Sequence, residues 1–226
     1  MLDNPADSMM APKAPRSASL PLINALIGLV FVLIVAALAM IAWQMLSEPP
    51  VPRTSAERDL ARFELEVKQH KADPIAHASY GEAFMQVGSY AGAVKEFKKA
   101  IKLSPGDSRY YVLLAKAYAA QNDVQPAIVA LTKAKKLDEN SEEAWFIEGK
   151  IAYDQKDYRK AITAWTKSME LQPSASDVHF LAGQAFEKTS QTDAAMAHYR
   201  EALKYMPDYP EAREALQRLE GSQGNN

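Results

Sequence analysis

Small residues recur every 34 residues through the C-terminal part of this 226-residue chain, and this interval limits its fold more than any other feature. The first series is Gly81, Ala115, Gly149 and Gly183. Three further series keep the same interval: Ala93, Ala127, Ala161 and Ala195; Phe97, Leu131, Trp165 and Tyr199; and Ala100, Ala134, Ser168 and Ala202. A constant interval at several positions predicts one structural unit repeated four times, in place of a single closed core.

Each unit has the pattern of two helices joined by a short turn. Apolar residues recur at three- and four-residue steps in "RYYVLLAKAYAA" and "VQPAIVALTKAKKL", and polar "QND", "QKD" and "SQT" separate such segments. A glycine inside a helix costs about 1 kcal/mol relative to alanine, so Gly81 and its equivalents are expected where two helices cross closely. Because a lone hairpin cannot bury its apolar face, neighbouring units are expected to stack into a superhelix with a concave groove.

The repeat resembles the tetratricopeptide repeat (TPR) family, whose pattern is W-x2-L-G-x2-Y followed by A, F, A and P. The chain carries the first part as "HASYGEAF", "YVLLAKAY", "WFIEGKIA" and "HFLAGQAF", over about residues 74–209. The resemblance implies an all-α, right-handed superhelix. The third unit departs most from the pattern, since Glu148 replaces an apolar residue and Ala152 an aromatic one. We expect its first helix to be shifted or loosely packed, and Glu148 to reach solvent at the helix edge.

The repeat sets the domain boundaries. Four units are predicted, at 73–106, 107–140, 141–174 and 175–208. Thr54 and Glu57 have the spacing of a capping box, which predicts an N-terminal packing helix over 54–72. A capping helix is predicted over 209–220, followed by a disordered tail at 221–226.

The N-terminal part has a different composition. Residues 25–43, "ALIGLVFVLIVAALAMIAW", contain no charge, which predicts a transmembrane helix over 20–46. A disordered tail is predicted at 1–19, and a Pro-rich linker at 47–53. The alternatives are a buried core helix and a cleaved signal peptide. Short tails respond to the charge bias more than long domains do. We therefore expect a single-pass protein of the bacterial cytoplasmic membrane, with the repeats outside the cytoplasm and the bilayer as one partner.

Composition excludes several kinds of chemistry. The formal net charge is −2, which gives no basic surplus for nucleic acid. The absence of cysteine removes disulfides, thiolate metal sites and a cysteine nucleophile. No catalytic or nucleotide-binding motif is present, and two of the four histidines, His77 and His179, occupy a repeat slot that favours packing. We therefore predict no enzyme activity, no cofactor and no metal.

The TPR resemblance also implies which side chains face the groove. They lie at the second, fifth, ninth and twelfth positions of each first helix. The residues taken as a peptide-binding groove are Arg109, Val112, Lys116, Phe146, Lys150, Tyr153, Phe180 and Gln184. The two lysines could hold a peptide carboxylate while an apolar side chain fills the space between the phenylalanines. The alternative is that the phenylalanines pack against neighbouring helices. The carboxylate clamp of TPR co-chaperones is absent, since Ala78 and Glu82 occupy two of its slots.

These features predict a membrane-anchored scaffold that binds a protein or peptide segment, with an oligomeric state that the sequence leaves open. An anchor followed by "LARFELEVKQHKADP" and repeats resembles the TPR components of bacterial cytochrome c maturation, which implies binding of apocytochrome segments. The alternative is a structural subunit of a pilus, secretion or cell-envelope complex. A regulatory or enzymatic protein is the contrasting class, and it would require a site that the sequence does not show.

Overall fold

The computed structural model describes residues 20–47 and 54–223, which belong to two compact units, residues 1–51 and 52–226. The described part of the first unit is one helix, α1, Leu20–Ser47. Its window Asn24–Ile41 has a mean hydropathy of 2.7 and is not buried within the protein. The helix is long and apolar enough to cross a membrane, although a signal sequence would have the same properties. The predicted tail 1–19 and linker residues 48–53 lie outside the described residues.

All regular secondary structure among the described residues of the second unit is helical, which confirms the all-α prediction. Ten helices follow one another: α2 Ser55–Gln69, α3 Pro74–Gln86, α4 Tyr90–Leu103, α5 Ser108–Ala120, α6 Val124–Leu137, α7 Glu142–Asp154, α8 Tyr158–Leu171, α9 Ser176–Lys188, α10 Thr192–Tyr205 and α11 Pro210–Gln223. Helices α3 to α10 form four hairpins, each of which packs on the next. The first helices of the hairpins, α3, α5, α7 and α9, are called the inner helices below.

The turn inside each hairpin has one residue in the left-handed region. These residues are Gly88, Asn122, Lys156 and Ser190, with φ of 74°, 63°, 63° and 61°. The next residues, Ser89, Asp123, Asp157 and Gln191, are the N-caps of the second helices. Glycine adopts a positive φ without a steric penalty, whereas lysine and serine do so at a cost.

The recurring small residues lie where the two helices of a hairpin cross. A Cβ atom added at Gly81, Gly149 or Gly183 would lie within 3.0 Å of three ring atoms of Phe97, Trp165 or Tyr199, respectively. In the second hairpin the small residue is Ala115, and its counterpart is the smaller Leu131; both are buried. The alanines Ala93, Ala127, Ala161 and Ala195 are fully buried as well, so close packing of small residues forms the axis of each hairpin.

A second repeated interaction fixes each inner helix to the loop before it. The side chain at the first motif position makes a hydrogen bond to the carbonyl oxygen six residues earlier. The pairs are His77 Nε2 with Lys71, Tyr111 Oη with Pro105, Trp145 Nε1 with Glu139, and His179 Nε2 with Pro173, at 3.0–3.3 Å. Arg213 of α11 donates to the Pro207 carbonyl in the same way, at 2.6 Å. Chemically different side chains therefore perform one structural task.

The two ends of the stack are half-repeats. Helix α2 begins with the expected capping box, in which Thr54 Oγ1 accepts from the Glu57 amide at 3.1 Å. Helix α11 extends to Gln223, so the predicted end at residue 220 is three residues too early; the Ser222 hydroxyl donates to the Leu219 carbonyl and supports the extra turn. Gln217 occupies the slot that is glycine or alanine in the four units.

Candidate peptide-binding groove

The inner helices line one face of the second unit, and two neighbouring clefts open on it. The α3–α5 cleft has a volume of about 340 Å³ and is lined by Ile75, Ala78, Ser79, Glu82, Arg109, Tyr110, Leu113, Lys116 and Glu143. The α5–α7 cleft has a volume of about 420 Å³ and is lined by Met85, Lys116, Ala119, Ala120, Phe146, Ile147, Lys150, Ile151 and Asp154. Lys116 lines both clefts, so they form one continuous groove.

The α5–α7 cleft is the more apolar of the two because small residues of α5 face large ones of α7. Ala119 and Ala120 leave an opening at the end of α5, and Phe146 with Ile151 provides the opposite wall. The Phe146 ring is partly buried. One part of its surface packs against the cores of the second and third hairpins, and the rest faces the cleft. The cleft therefore presents an apolar surface that a bulky side chain can cover.

Charged groups surround this apolar surface. Lys116 of α5 forms an ion pair with Glu143 in the first turn of α7, and both side chains are about half exposed. Arg109 pairs with Asp107 at 2.6 Å, and this hydrogen-bonded contact lowers the pKa of the Asp107 carboxyl. Lys150 is exposed, and among residues 20–47 and 54–223 no carboxylate forms an ion pair with it. Lys150 is therefore available to an external anion.

Four of the eight residues named from the sequence lie in the groove: Arg109, Lys116, Phe146 and Lys150. Val112 does not, because it is only 2% exposed and belongs to the core around the second hairpin. Gln184 is partly buried on α9 and lines neither cleft. The residues that the sequence missed, such as Ile147 and Ile151, lie on α7 beside Phe146 and Lys150, where a helical projection of α7 would have found them.

Tyr153 and Phe180 pack within the protein and line neither cleft. The Tyr153 ring lies 5.2 Å from that of Tyr158 and 5.7 Å from that of Trp165, and burial raises the pKa of its hydroxyl. The Phe180 ring lies 5.6 Å from Tyr199 and 5.0 Å from Tyr209. Phe180 therefore does not share a cleft with Phe146; its ring packs against Tyr199 of α10 and against Tyr209, which precedes α11.

The third hairpin has helices of ordinary length, and Glu148 has a structural role. Helix α7 has the same 13 residues as the other inner helices, but it packs less extensively on the preceding helix α6 than α5 packs on α4 or α9 on α8, in line with the expected loose packing. The Glu148 side chain is 14% exposed and pairs with Lys135 and, at 3.6 Å, with Lys160. Lys135 also lies 3.9 Å from the centre of the Trp145 ring. The acid joins α6, α7 and α8 and does not point freely into solvent.

The histidines are placed for packing. His77 Nδ1 lies 2.7 Å from Glu96 Oε2 in a buried pair, and His179 Nδ1 lies 3.2 Å from His198 Nδ1. Burial, with a smaller effect of His179, lowers the pKa of His198. In the part of the chain that the structure describes, no three histidine, aspartate or glutamate side chains are grouped so that they could hold a metal ion.

Comparisons with known proteins agree with this geometry. A family model described as "Tetratricopeptide repeat" matches residues 146–212. The second unit has the tetratricopeptide-repeat fold. A second family model, described as "Regulator of microtubule dynamics protein 1-3", matches residues 70–152, which cover the first two TPR hairpins and most of α7. Each match spans less than half of the chain. A search of curated protein sequences gave no match.

Several solved structures share the TPR fold. The crystal structure of MamA has a TM-score of 0.59 and 20% identity, over 69% of this chain and 96% of that chain. YrrB, described as a TPR protein with an unusual peptide-binding site, has a TM-score of 0.58 and 21% identity, over 72% and 84%. PilF of Pseudomonas aeruginosa has a TM-score of 0.63 and 19% identity, over 70% and 72%. At these identities the similarity establishes the fold alone.

Proposed function

We propose that this TPR protein is a membrane-anchored adaptor whose groove binds an extended segment of another protein. The observation that carries the proposal is the continuous pair of clefts on the inner face, with an apolar wall at Phe146 and Ile151 and exposed lysines beside it. Extended segments suit such a surface because alternate side chains can enter successive clefts. YrrB, a TPR protein of similar fold with an unusual peptide-binding site, supports this interpretation.

The groove has the chemistry of binding and not of catalysis. Its charged groups are Glu82, Arg109, Lys116, Glu143, Lys150 and Asp154. Neither cleft is lined by a histidine or by a nucleophile paired with a base, which acyl or phosphoryl transfer would require. We therefore assign the protein a non-enzymatic role.

The anchor in this proposal is α1. Its apolar window is long enough to span the hydrocarbon core, and in this proposal the TPR domain lies outside the cytoplasm. Protease added to intact cells and to spheroplasts tests both statements. In that topology the TPR domain is digested only after the outer barrier is opened, and digestion only after cell lysis would place it in the cytoplasm.

Site-specific photocrosslinking in native membranes tests the groove. A photoreactive residue at Ala120, which lines the α5–α7 cleft, should capture a partner protein. The matched control is Val129 on α6, which is 70% exposed but lines neither cleft. Equal capture at both positions, or capture at Val129 alone, would contradict a groove-directed interaction.

The pathway follows from the identity of the partner. A role in cytochrome c maturation requires that apocytochrome peptides bind the groove better than unrelated peptides of the same length and charge. A role as a structural subunit of a pilus, secretion or cell-envelope complex requires instead that the Ala120 crosslink leads to a component of that complex. Mass spectrometry of the crosslinked product separates the two.

A further inference from the structure

The Lys116–Glu143 ion pair lies where the two clefts of the groove meet, since Lys116 lines both clefts and Glu143 lines the α3–α5 cleft. The pair joins residues 27 positions apart, on two adjacent inner helices. The two side chains are 40% and 52% exposed, so water and salt already compete for both charges. Exposed ion pairs of this kind contribute little to stability. An external carboxylate can therefore replace Glu143 as the partner of Lys116 without disturbing the core.

A second lysine extends the positive charge along the groove. Lys150 lies one repeat after Lys116, on the next inner helix, and lines the same α5–α7 cleft. It makes no ion pair within the described residues. A ligand that neutralises both lysines carries negative charge, and one that covers the partly buried Phe146 ring presents an apolar side chain.

On the basis of the proposed function, we propose that the groove binds an acidic peptide segment in which a bulky apolar residue is next to aspartate or glutamate. Glu143 competes with the carboxylate of this peptide for Lys116. The apolar side chain covers the α5–α7 cleft. The acidic side chain takes Lys116 from Glu143 and is also attracted by Lys150. Glu143 thereby lowers the affinity of acidic ligands, whereas segments without a carboxylate gain no ionic contact with Lys116.

The wall residue Ala120 allows a direct test of the charge preference. It is exposed at the edge of the cleft, and its substitution leaves the core intact. Ala120→Glu adds a negative charge beside the site, and Ala120→Lys adds a positive one. Both variants add a long side chain of opposite charge, so opposite changes in affinity report the charge preference. Lys167→Met, in an exposed ion pair with Glu170 on α8, is the control outside the groove.

The experiment begins with selection of random peptides on the full chain in nanodiscs. Peptides that bind wild type but not the Ala120→Glu variant are sequenced, and a selected peptide is then titrated by fluorescence anisotropy. We expect selected peptides to contain an apolar residue next to an acid. Lys150→Met should weaken binding about tenfold, because a charge-assisted contact is lost. Glu143→Gln should strengthen binding roughly threefold, Ala120→Lys should also strengthen it, and added salt should weaken it.

The outcomes separate the two proposals. If groove-dependent peptides are neutral or basic, or if Glu143→Gln does not strengthen binding of an acidic peptide, the charge preference is refuted while a peptide-binding groove remains. If no peptide depends on Ala120 or Lys150, the groove itself is refuted. A change in affinity with Lys167→Met as large as that with Lys150→Met would show a nonspecific charge effect and would also overturn the inference.

Discussion

Replacing Gly149 by alanine is the sharpest test of how the TPR hairpins are held together. The added Cβ would lie within 3.0 Å of three atoms of the Trp165 ring, which is completely buried. The indole N–H also donates to the Phe146 carbonyl at 3.1 Å, a contact that the bare Gly149 backbone permits. The substitution therefore forces the indole to move and weakens its hydrogen bond.

The change in the free energy of unfolding caused by Gly149→Ala is the sum of one favourable and two unfavourable contributions. Alanine is a better helix former than glycine by about 1 kcal/mol, so propensity alone predicts stabilisation. Overpacking a filled core costs about 1–3 kcal/mol, and the lost hydrogen bond about 0.5–1.5 kcal/mol. We expect Gly149→Ala to lower the free energy of unfolding by about 2 kcal/mol.

Urea denaturation of the full chain in detergent, followed by far-UV circular dichroism, measures this change. The control is Gly106→Ala, because nothing lies within 4 Å of the added Cβ and the backbone of Gly106 does not have a positive φ. The control should be neutral or slightly stabilising. If Gly149→Ala were stabilising like the control, the close approach of α7 and α8 would be refuted.

The second hairpin suggests a second substitution that should compensate for Gly149→Ala. It pairs Ala115 with Leu131, so the double variant Gly149→Ala with Trp165→Leu recreates a combination that the chain already uses. Trp165→Leu alone leaves a cavity and should be destabilising. The double variant should lose less stability than the sum of the single changes, because the methyl group enters that cavity. Additive losses would contradict direct contact between positions 149 and 165.

Three further predictions concern other parts of the TPR domain. Lys156→Gly should raise the free energy of unfolding by about 1 kcal/mol, since the residue has a φ of 63°; thermal unfolding checks this, and a loss would refute strain. Burial lowers the pKa of His198, opposed by Glu201. The unfolded state therefore binds more protons, and stability should fall as the pH drops below about 6.5; His198→Gln should reduce this slope in urea titrations at several pH values. Glu148→Gln should cost about 2 kcal/mol, because Lys135 loses its charged partner; an unchanged urea midpoint would contradict it.

The charge pairs show where sequence reasoning stops. The periodicity placed Lys116 and Lys150 at equivalent positions, and it placed Glu143 on the same inner face. It did not predict that Lys116 reaches Glu143 across two units, because that contact depends on the rotation between neighbouring hairpins and on the length of both side chains. Glu148 was misjudged for the same reason, since its lysine partners come from the preceding and following helices.

The sequence by itself determined the number of hairpins, their order and the small residues at their crossings. These features are encoded by local helical periodicity and by an interval that every unit repeats, so no long-range contact is needed to read them. Only the tertiary structure decided which side chains of the inner helices remain open. Phe146 lines a cleft, whereas its equivalent, Phe180, lines neither cleft and packs against Tyr199 and Tyr209, because this difference depends on the side chains that neighbouring elements bring against each ring.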